Sequence, residues 1–173
     1  MNLLMHICCA PCSVIPLVHL RQEGIEPVGL FFNPNIHPIE EFERRRVNVV
    51  KFAGITGLNT EYFSDFLQPE WESFRGTDNA RCAMCYAVRL EKAAELAAAG
   101  GYDAFTTTLL VSPYQKHELI KQLGKKYAAQ YGIDFFYRDF RPGFRQGQQE
   151  AKVLGLYLQK YCGCIISQPG NQG

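Results

Sequence analysis

The sequence predicts the α/β class, with a three-layer fold around a five-stranded, mostly parallel sheet. The first observation is that short apolar or β-branched segments alternate with helix-like segments of about ten residues or more, which is typical of βαβ units. The second is that no linker, repeat or low-complexity stretch interrupts this alternation along the 173 residues. We therefore expect a single α/β domain over residues 1–173, with a doubly wound, Rossmann-like sheet and a cysteine-bearing C-terminal tail.

Apolar runs, β-branched residues and turn signals predict the strands. They are expected at residues 2–7, 28–32, 60–63, 104–110 and 134–137. Amphipathic segments and capping residues predict the helices between them. In two of these helices a serine is the expected N-cap, Ser13 and Ser112, with Pro16 and Pro113 in the first turns. The helices are expected from Ser13 to Gly24 and over 39–53, 69–74, 79–99, 112–130 and 146–157.

Composition excludes several classes of protein. Apolar residues make up 47% of the chain and the formal net charge is +1, so intrinsic disorder and a generally basic nucleic-acid coat are excluded. No apolar run approaches the roughly 18 residues that a membrane-spanning helix requires. The first residues, MNLLMHICCAPC, lack the basic start and long apolar stretch of a secretory signal. We expect a soluble, cytoplasmic protein.

The seven cysteines fall into three tight groups: Cys8, Cys9 and Cys12; Cys82 and Cys85; Cys162 and Cys164. In a reducing compartment such groups indicate metal or redox ligands more often than disulfides. A closed zinc site or a 4Fe–4S cluster takes four thiolates, so three thiols remain for another metal ion or a redox-active pair. The tandem spacing of bacterial ferredoxins is absent, so the ligands must converge from distant parts of the chain. The first group follows the first predicted strand, on the sheet edge where ligands bind in such folds.

Six motifs give the chain a resemblance to a known family, the epoxyqueuosine reductases QueH. They are His6 to Ser13 (HICCAPCS), Phe32 to Asn35 (FNPN), Arg81 to Cys85 (RCAMC), Thr106 to Pro113 (TTTLLVSP), Asp139 to Gly143 (DFRPG) and Tyr161 to Cys164 (YCGC). The resemblance implies an adenine-nucleotide α-hydrolase type of fold and a 4Fe–4S cluster. It also implies reduction of epoxyqueuosine to queuosine at the wobble position of tRNA, the last step of queuosine biosynthesis. An external electron donor, which the sequence does not identify, is then required.

The resemblance also assigns roles to the cysteines. It implies that Cys8, Cys9, Cys82 and Cys85 are the cluster ligands. The tail pair, Cys162 and Cys164, is then either a redox-active couple or a set of ligands for a further mononuclear metal, such as iron. Cys12 stands where some members of the family have Asp. Both residue types bind metals when ionised, so Cys12 is either a metal ligand or an extra thiol.

Reduction of an epoxide requires a proton donor, and the sequence leaves several candidates open. These are His6, His37, Tyr114, His117 and Asp139. His37 is slightly favoured because it lies on a loop that follows a predicted strand.

For tRNA we expect phosphate contacts from Arg138, Arg141 and Arg145, which cluster near the DFRPG loop. Tyr114, with Phe32 and Phe144, is expected to stack on the wobble base. The lysines of the 112–130 helix are interpreted as a solvated face.

Three alternatives compete with the reductase. A tRNA-thiolation enzyme of similar fold needs a glycine-rich phosphate loop after the first strand, and CCAPCS supplies no glycine there. A zinc-stabilised RNA-binding module would hold zinc without iron. A thiol–disulfide oxidoreductase would need only one C-x-x-C motif and would leave the other five cysteines unexplained.

Overall fold

A computed structural model of the protein describes residues 1–169. Its five strands form one parallel sheet in the order β3-β2-β1-β4-β5. The strands are β1 (Leu3–His6), β2 (Val28–Phe31), β3 (Thr60–Tyr62), β4 (Ala104–Thr107) and β5 (Asp134–Phe135). The helices are α1 (Ala10–Gln22), α2 (Ile39–Thr56), α3 (Gln68–Glu72), α4 (Asp78–Ala99), α5 (His117–Tyr131) and α6 (Phe144–Val153). The predicted fold class is confirmed.

The sheet separates two apolar layers because successive side chains of a strand point to opposite faces. Leu4 and Phe105 pack against α4 and α5 on one face, in a cluster that includes Leu90 and Ile120. Leu3, Met5 and Phe31 pack on the other face with α1, α2 and α6. Strands buried on both faces explain why β1 reads as a continuous apolar run. No helix of residues 1–169 has the length and apolar character needed to cross a membrane.

Strand order reverses between β1 and β4, which is the place where doubly wound sheets bind their ligands. The two strands pair in parallel from Leu3 with Ala104 to His6 with Thr107. Their carboxyl ends are therefore adjacent, and the backbone N–H of Cys8 donates to Oγ1 of Thr108 at 3.0 Å.

Two helix starts differ from the predicted ones. α1 begins at Ala10, three residues before the expected cap, so Ser13 lies inside the helix and its hydroxyl donates to the Cys9 carbonyl at 2.8 Å. α5 begins at His117, because Ser112 caps only a local turn, accepting from the Tyr114 N–H at 3.2 Å.

Two further elements are shorter than predicted. β4 ends at Thr107, and residues 108–111 form a 3₁₀ turn instead of extending the strand. α6 ends at Val153, and Gly155 then adopts the left-handed conformation that lets the chain turn. In the first case a local turn ends the regular element, and in the second case a glycine does.

Candidate metal centre

The connection from β1 to α1 brings three thiols together. Cys8 and Cys9 lie between the strand and the helix, and Cys12 lies in the first helical turn. All three Sγ atoms lie within 4.8 Å of one another, and those of Cys8 and Cys9 are 3.8 Å apart. Two thiolates bound to one tetrahedral metal, each at about 2.3 Å, are separated by about 3.8 Å. The triad therefore has the spacing of ligands that share a metal ion.

Burial and hydrogen bonding distribute charge unequally within this triad. Hydrogen bonds from the Cys12 and Cys9 thiols, with a third from the Thr108 hydroxyl at 3.2 Å, hold the pKa of the Cys8 thiol well below its usual range. Burial raises the pKa of Cys9, and the hydrogen bond to Cys8 raises that of Cys12. The shifts have opposite directions, so Cys8 is the thiol of the triad that ionises most readily. A metal ion between the sulfurs would favour ionisation of all three.

Gln159 reaches the triad from the C-terminal tail. Its Nε2 donates to Sγ of Cys9 at 2.7 Å and lies 3.9 Å from Sγ of Cys12. Its Oε1 is buried and has no hydrogen-bond partner among the described residues. The sequence analysis missed this residue, because a lone glutamine carries no motif.

The other four thiols form a second group, in which α4 meets the tail. Cys85 and Cys164 pack with Trp71 and Ile165 in a small buried cluster, where the indole N–H of Trp71 donates to Sγ of Cys85 at 2.8 Å. Burial raises the pKa of Cys85 to about 11. The nearby tail thiols raise it further, and they act in the same direction on Cys82. The structure therefore places the C-x-x-C motif next to the tail pair.

A buried arginine on α2 holds the tail in place. The guanidinium of Arg45 donates to the backbone carbonyls of Tyr161 at 2.7 Å and Cys162 at 3.1 Å, and it pairs with Glu41 at 2.9 Å. Gly163 has a φ of +110°, and a Cβ there would lie 3.1 Å from the Arg45 guanidinium. The tail can reach the thiols of α4 only with glycine at this position.

Both thiol groups face one cavity of about 700 Å³ at the carboxyl edge of the sheet. Four thiols line it, from Cys8, Cys12, Cys82 and Cys162. Four basic side chains also line it: Arg45, Arg89, Lys116 and Lys160. Within residues 1–169, no carboxylate and no histidine contributes to the cavity wall. A site of this composition attracts anions.

Of the candidate proton donors, only Tyr114 lines this cavity. His6 is buried in β1, where Nδ1 contacts Oγ1 of Thr107 at 2.9 Å and burial lowers its pKa to about 4. His37 is buried, and its Nε2 donates to the Pro34 carbonyl at 2.8 Å.

The remaining two candidates also lie away from the cavity wall. Nε2 of His117 contacts the Tyr137 hydroxyl at 2.9 Å. Asp139 pairs with Arg141 at 2.7 Å, and the hydrogen bonds from that arginine hold its pKa at about 2. A carboxylate with such a low pKa is a poor proton donor.

The three arginines that were predicted to contact tRNA all lie outside the cavity wall. Arg138 pairs with Glu23, Arg141 pairs with Asp139, and neither of these arginines lines the cavity. Arg145 is exposed on α6 and also lies outside the cavity wall.

Two of the three aromatic residues that were predicted to stack on the wobble base, Tyr114 and Phe144, line the cavity. Tyr114 is 85% exposed there and meets Phe144 edge to face, with ring centroids 5.7 Å apart. Phe32, by contrast, is buried in the core. Two cations that the sequence analysis did not single out as RNA contacts, Lys116 and Lys160, line the cavity instead.

Comparisons with known proteins agree with the site's composition. A family model described as epoxyqueuosine reductase QueH matches residues 3–169. The epoxyqueuosine reductase QueH of Thermotoga maritima is 35% identical, over 96% of this chain and 90% of that protein. The proteins of the same name from Dehalococcoides mccartyi and Haemophilus influenzae are 31% and 37% identical over 96% of this chain, covering 92% and 71% of their own lengths.

The fold is similar to that of a solved structure with another name. The zinc-inhibited form of teicoplanin deacetylase Orf2 aligns with a TM-score of 0.54 over 89% of this chain and 83% of that one. At 9% identity this similarity concerns the fold alone.

Proposed function

The chain belongs to the epoxyqueuosine reductase QueH family, and we propose that its thiol-lined cavity is the place where the epoxide of epoxyqueuosine is reduced. The protein is an oxidoreductase of queuosine biosynthesis, and its substrate is tRNA. Removal of the epoxide oxygen consumes two electrons and two protons, and yields the alkene of queuosine and water. The observation that carries the proposal is the convergence of thiols from three distant segments on one cavity.

The donor set fits an iron–sulfur centre. Thiolates are the ligands of such clusters, and four thiols line this cavity, whose wall lacks carboxylates in the described chain. When bound, a 4Fe–4S cluster supplies low-potential electrons one at a time. Family resemblance assigns its ligands to Cys8, Cys9, Cys82 and Cys85. Cys12, Cys162 and Cys164 then remain for a mononuclear metal ion, proposed to be iron, or for a redox-active couple.

The observed grouping of the thiols supports a second ligand set. Cys85 and Cys164 pack in one buried cluster, and Cys82 and Cys162 line the cavity beside it. These thiols number the four ligands that a cluster needs. The triad at Cys8 would then hold the mononuclear ion, in keeping with its 3.8 Å sulfur spacing.

The two members of the tail pair have different surroundings. Cys162 is exposed to the cavity, whereas Cys164 is buried against Trp71 and Cys85.

Two single variants distinguish the ligand sets. Protein made and kept without oxygen is analysed for iron and acid-labile sulfide. In the first set Cys8→Ser loses the cluster and Cys164→Ser retains it, while the second set predicts the opposite result. Each variant serves as the control for the other, because each replaces one thiol that is buried or half-buried.

The reductase activity is tested on tRNA that carries epoxyqueuosine, with a chemical reductant in place of the external donor. Wild-type protein that binds zinc but no iron or sulfide, and does not convert this tRNA, would contradict the proposal. That outcome would favour a zinc-stabilised RNA-binding module.

On the substrate side, the cavity rim offers both contacts that a splayed nucleotide needs. The exposed ring of Tyr114, supported by Phe144, provides a stacking surface, and base–aromatic stacking contributes about 1–3 kcal/mol per base. Lys116 and Lys160 provide cations for phosphate oxygens. Arg138, Arg141 and Arg145 are proposed to contact tRNA farther from the reacting base.

Proton delivery is proposed to involve the side chains of the cavity wall. Tyr114 is the sequence-predicted donor that reaches the wall. His37 supports the site from behind, because its carbonyl accepts a hydrogen bond from Tyr161, which lines the cavity, and its ring packs 5.4 Å from that of Trp71.

A further inference from the structure

Arg89 is a buried cation without an acidic partner. It lies one turn after Cys85 on α4, is 5% exposed, and lines the cavity. Its Nε donates to the Cys85 carbonyl at 2.9 Å, and its guanidinium lies 5.6 Å from the ring centroid of Tyr86. Among the side chains of residues 1–169, no carboxylate lies within 4.0 Å of its nitrogens. The other buried arginine of the cavity, Arg45, has Glu41 as its partner.

Burying a charge is costly unless an opposite charge compensates it. A carbonyl and an aromatic ring provide partial charge, but neither is an anion. His6, which is near enough to interact electrostatically with Arg89, is an imidazole and cannot supply a negative charge. The groups around Arg89 that become anions on binding a metal are thiols: Cys85 on its own helix, and Cys8 and Cys82 on the same cavity wall.

We propose that Arg89 is the counter-charge of the metal–thiolate centre and a positioning residue that sets its reduction potential. The inference rests on the proposed function, since it requires a thiolate-bound cluster. A cluster with four cysteinate ligands carries net negative charge, which increases by one unit on reduction. A fixed positive charge close to the ligands stabilises the reduced state more than the oxidised one. Arg89 therefore makes the cluster easier to reduce.

The test compares three variants in anaerobic redox titrations followed by visible and electron paramagnetic resonance spectra. Arg89→Met keeps the length of the side chain and removes its charge, and Arg89→Lys retains the charge without the planar fork. Lys92→Met is the matched control, because it removes a cation from the same helix at an ion pair on the surface.

Arg89→Met is expected to lower the midpoint potential enough to change the ratio of reduced to oxidised cluster at least tenfold, equivalent to about 59 mV for one electron. Arg89→Lys is expected to show a smaller shift and Lys92→Met none. A second measurement is independent of activity: the rise in melting temperature on loading the cluster should be smaller in Arg89→Met than in wild type. If Arg89→Met does not fold, the Arg89→Lys potential decides between a shift and none.

An unchanged potential in a loaded, folded Arg89 variant would overturn the proposal and leave the reductase function intact. A variant that loses only its affinity for tRNA would also overturn the proposal and leave the reductase function intact, because the partner of Arg89 would then be a phosphate of the tRNA. Wild-type protein that takes up no iron and sulfide would instead contradict the proposed cofactor, and the role of Arg89 with it.

Discussion

The Arg45–Glu41 pair provides the strongest quantitative prediction. Its side chains are 3% and 6% exposed, and the guanidinium also carries the two carbonyl hydrogen bonds that hold the tail. Arg45→Met leaves the Glu41 carboxylate buried, with the Tyr157 hydroxyl as a hydrogen-bond partner and the exposed Arg44 guanidinium 3.5 Å away. Breaking a buried pair costs about 3–5 kcal/mol. A domain has about 5–15 kcal/mol of stability in total, so the variant should lose a substantial fraction of it.

The assay is urea unfolding of the metal-free protein, followed by circular dichroism. Arg44→Met is the matched control: it is the preceding residue, its side chain is 57% exposed, and it lies 3.5 Å from the same carboxylate. An exposed pair of this kind contributes about 0–1 kcal/mol. The double variant Glu41→Gln/Arg45→Met should be less destabilised than the sum of the single variants, because neither charge is left alone.

The Arg45–Glu41 pair also supports the metal centre. Without Arg45 the backbone at Tyr161 and Cys162 loses its donors, so the tail thiols should detach and iron loading should fall even where the protein stays folded. An Arg45→Met variant that loses no more stability than Arg44→Met would refute the argument.

Three other predictions follow from the same contacts. Gln159→Leu, compared with wild type, should weaken metal binding about 10–100-fold, because it removes the N–H donated to Cys9; equal affinities in a chelator competition would contradict this role. Trp71 is the one tryptophan of the chain, so its fluorescence should fall when a metal centre binds at Cys85; unchanged emission on loading would exclude Cys85 as a ligand. Burial lowers the pKa of His37, so the stability it contributes is complete above about pH 6.5 and is lost progressively as the pH falls below that value; the difference in urea stability between wild type and His37→Gln should be largest above that pH and shrink below it, and a constant difference would contradict this.

The sequence was sufficient to predict the class of the fold and the presence of a thiol site. Continuous apolar runs and helical apolar patterns are local, and they report which segments are buried. The alternation of such segments then fixes a parallel sheet. Thiol groups at Cys8, Cys82 and Cys162 indicate a metal or redox site because cysteines grouped at such close spacings are typical of metal and redox ligands.

Helix starts and strand ends were predicted less well. Ser13 and Ser112 both have the composition of an N-cap, but one hydroxyl bonds inside the helix and the other closes a turn. The choice between these bonds depends on where the preceding strand ends, and a capping preference of about 1 kcal/mol does not decide it.

The tertiary structure alone decided which side chains surround the thiols. Gln159, Trp71 and Arg89 belong to no local motif, and each reaches the site through contacts between segments far apart in the chain. His37 shows the converse: its loop suggested a role at the cavity, yet packing buried its ring behind the cavity wall. Local patterns encode burial, whereas the partners of a buried charge or thiol depend on how the packed segments meet in space.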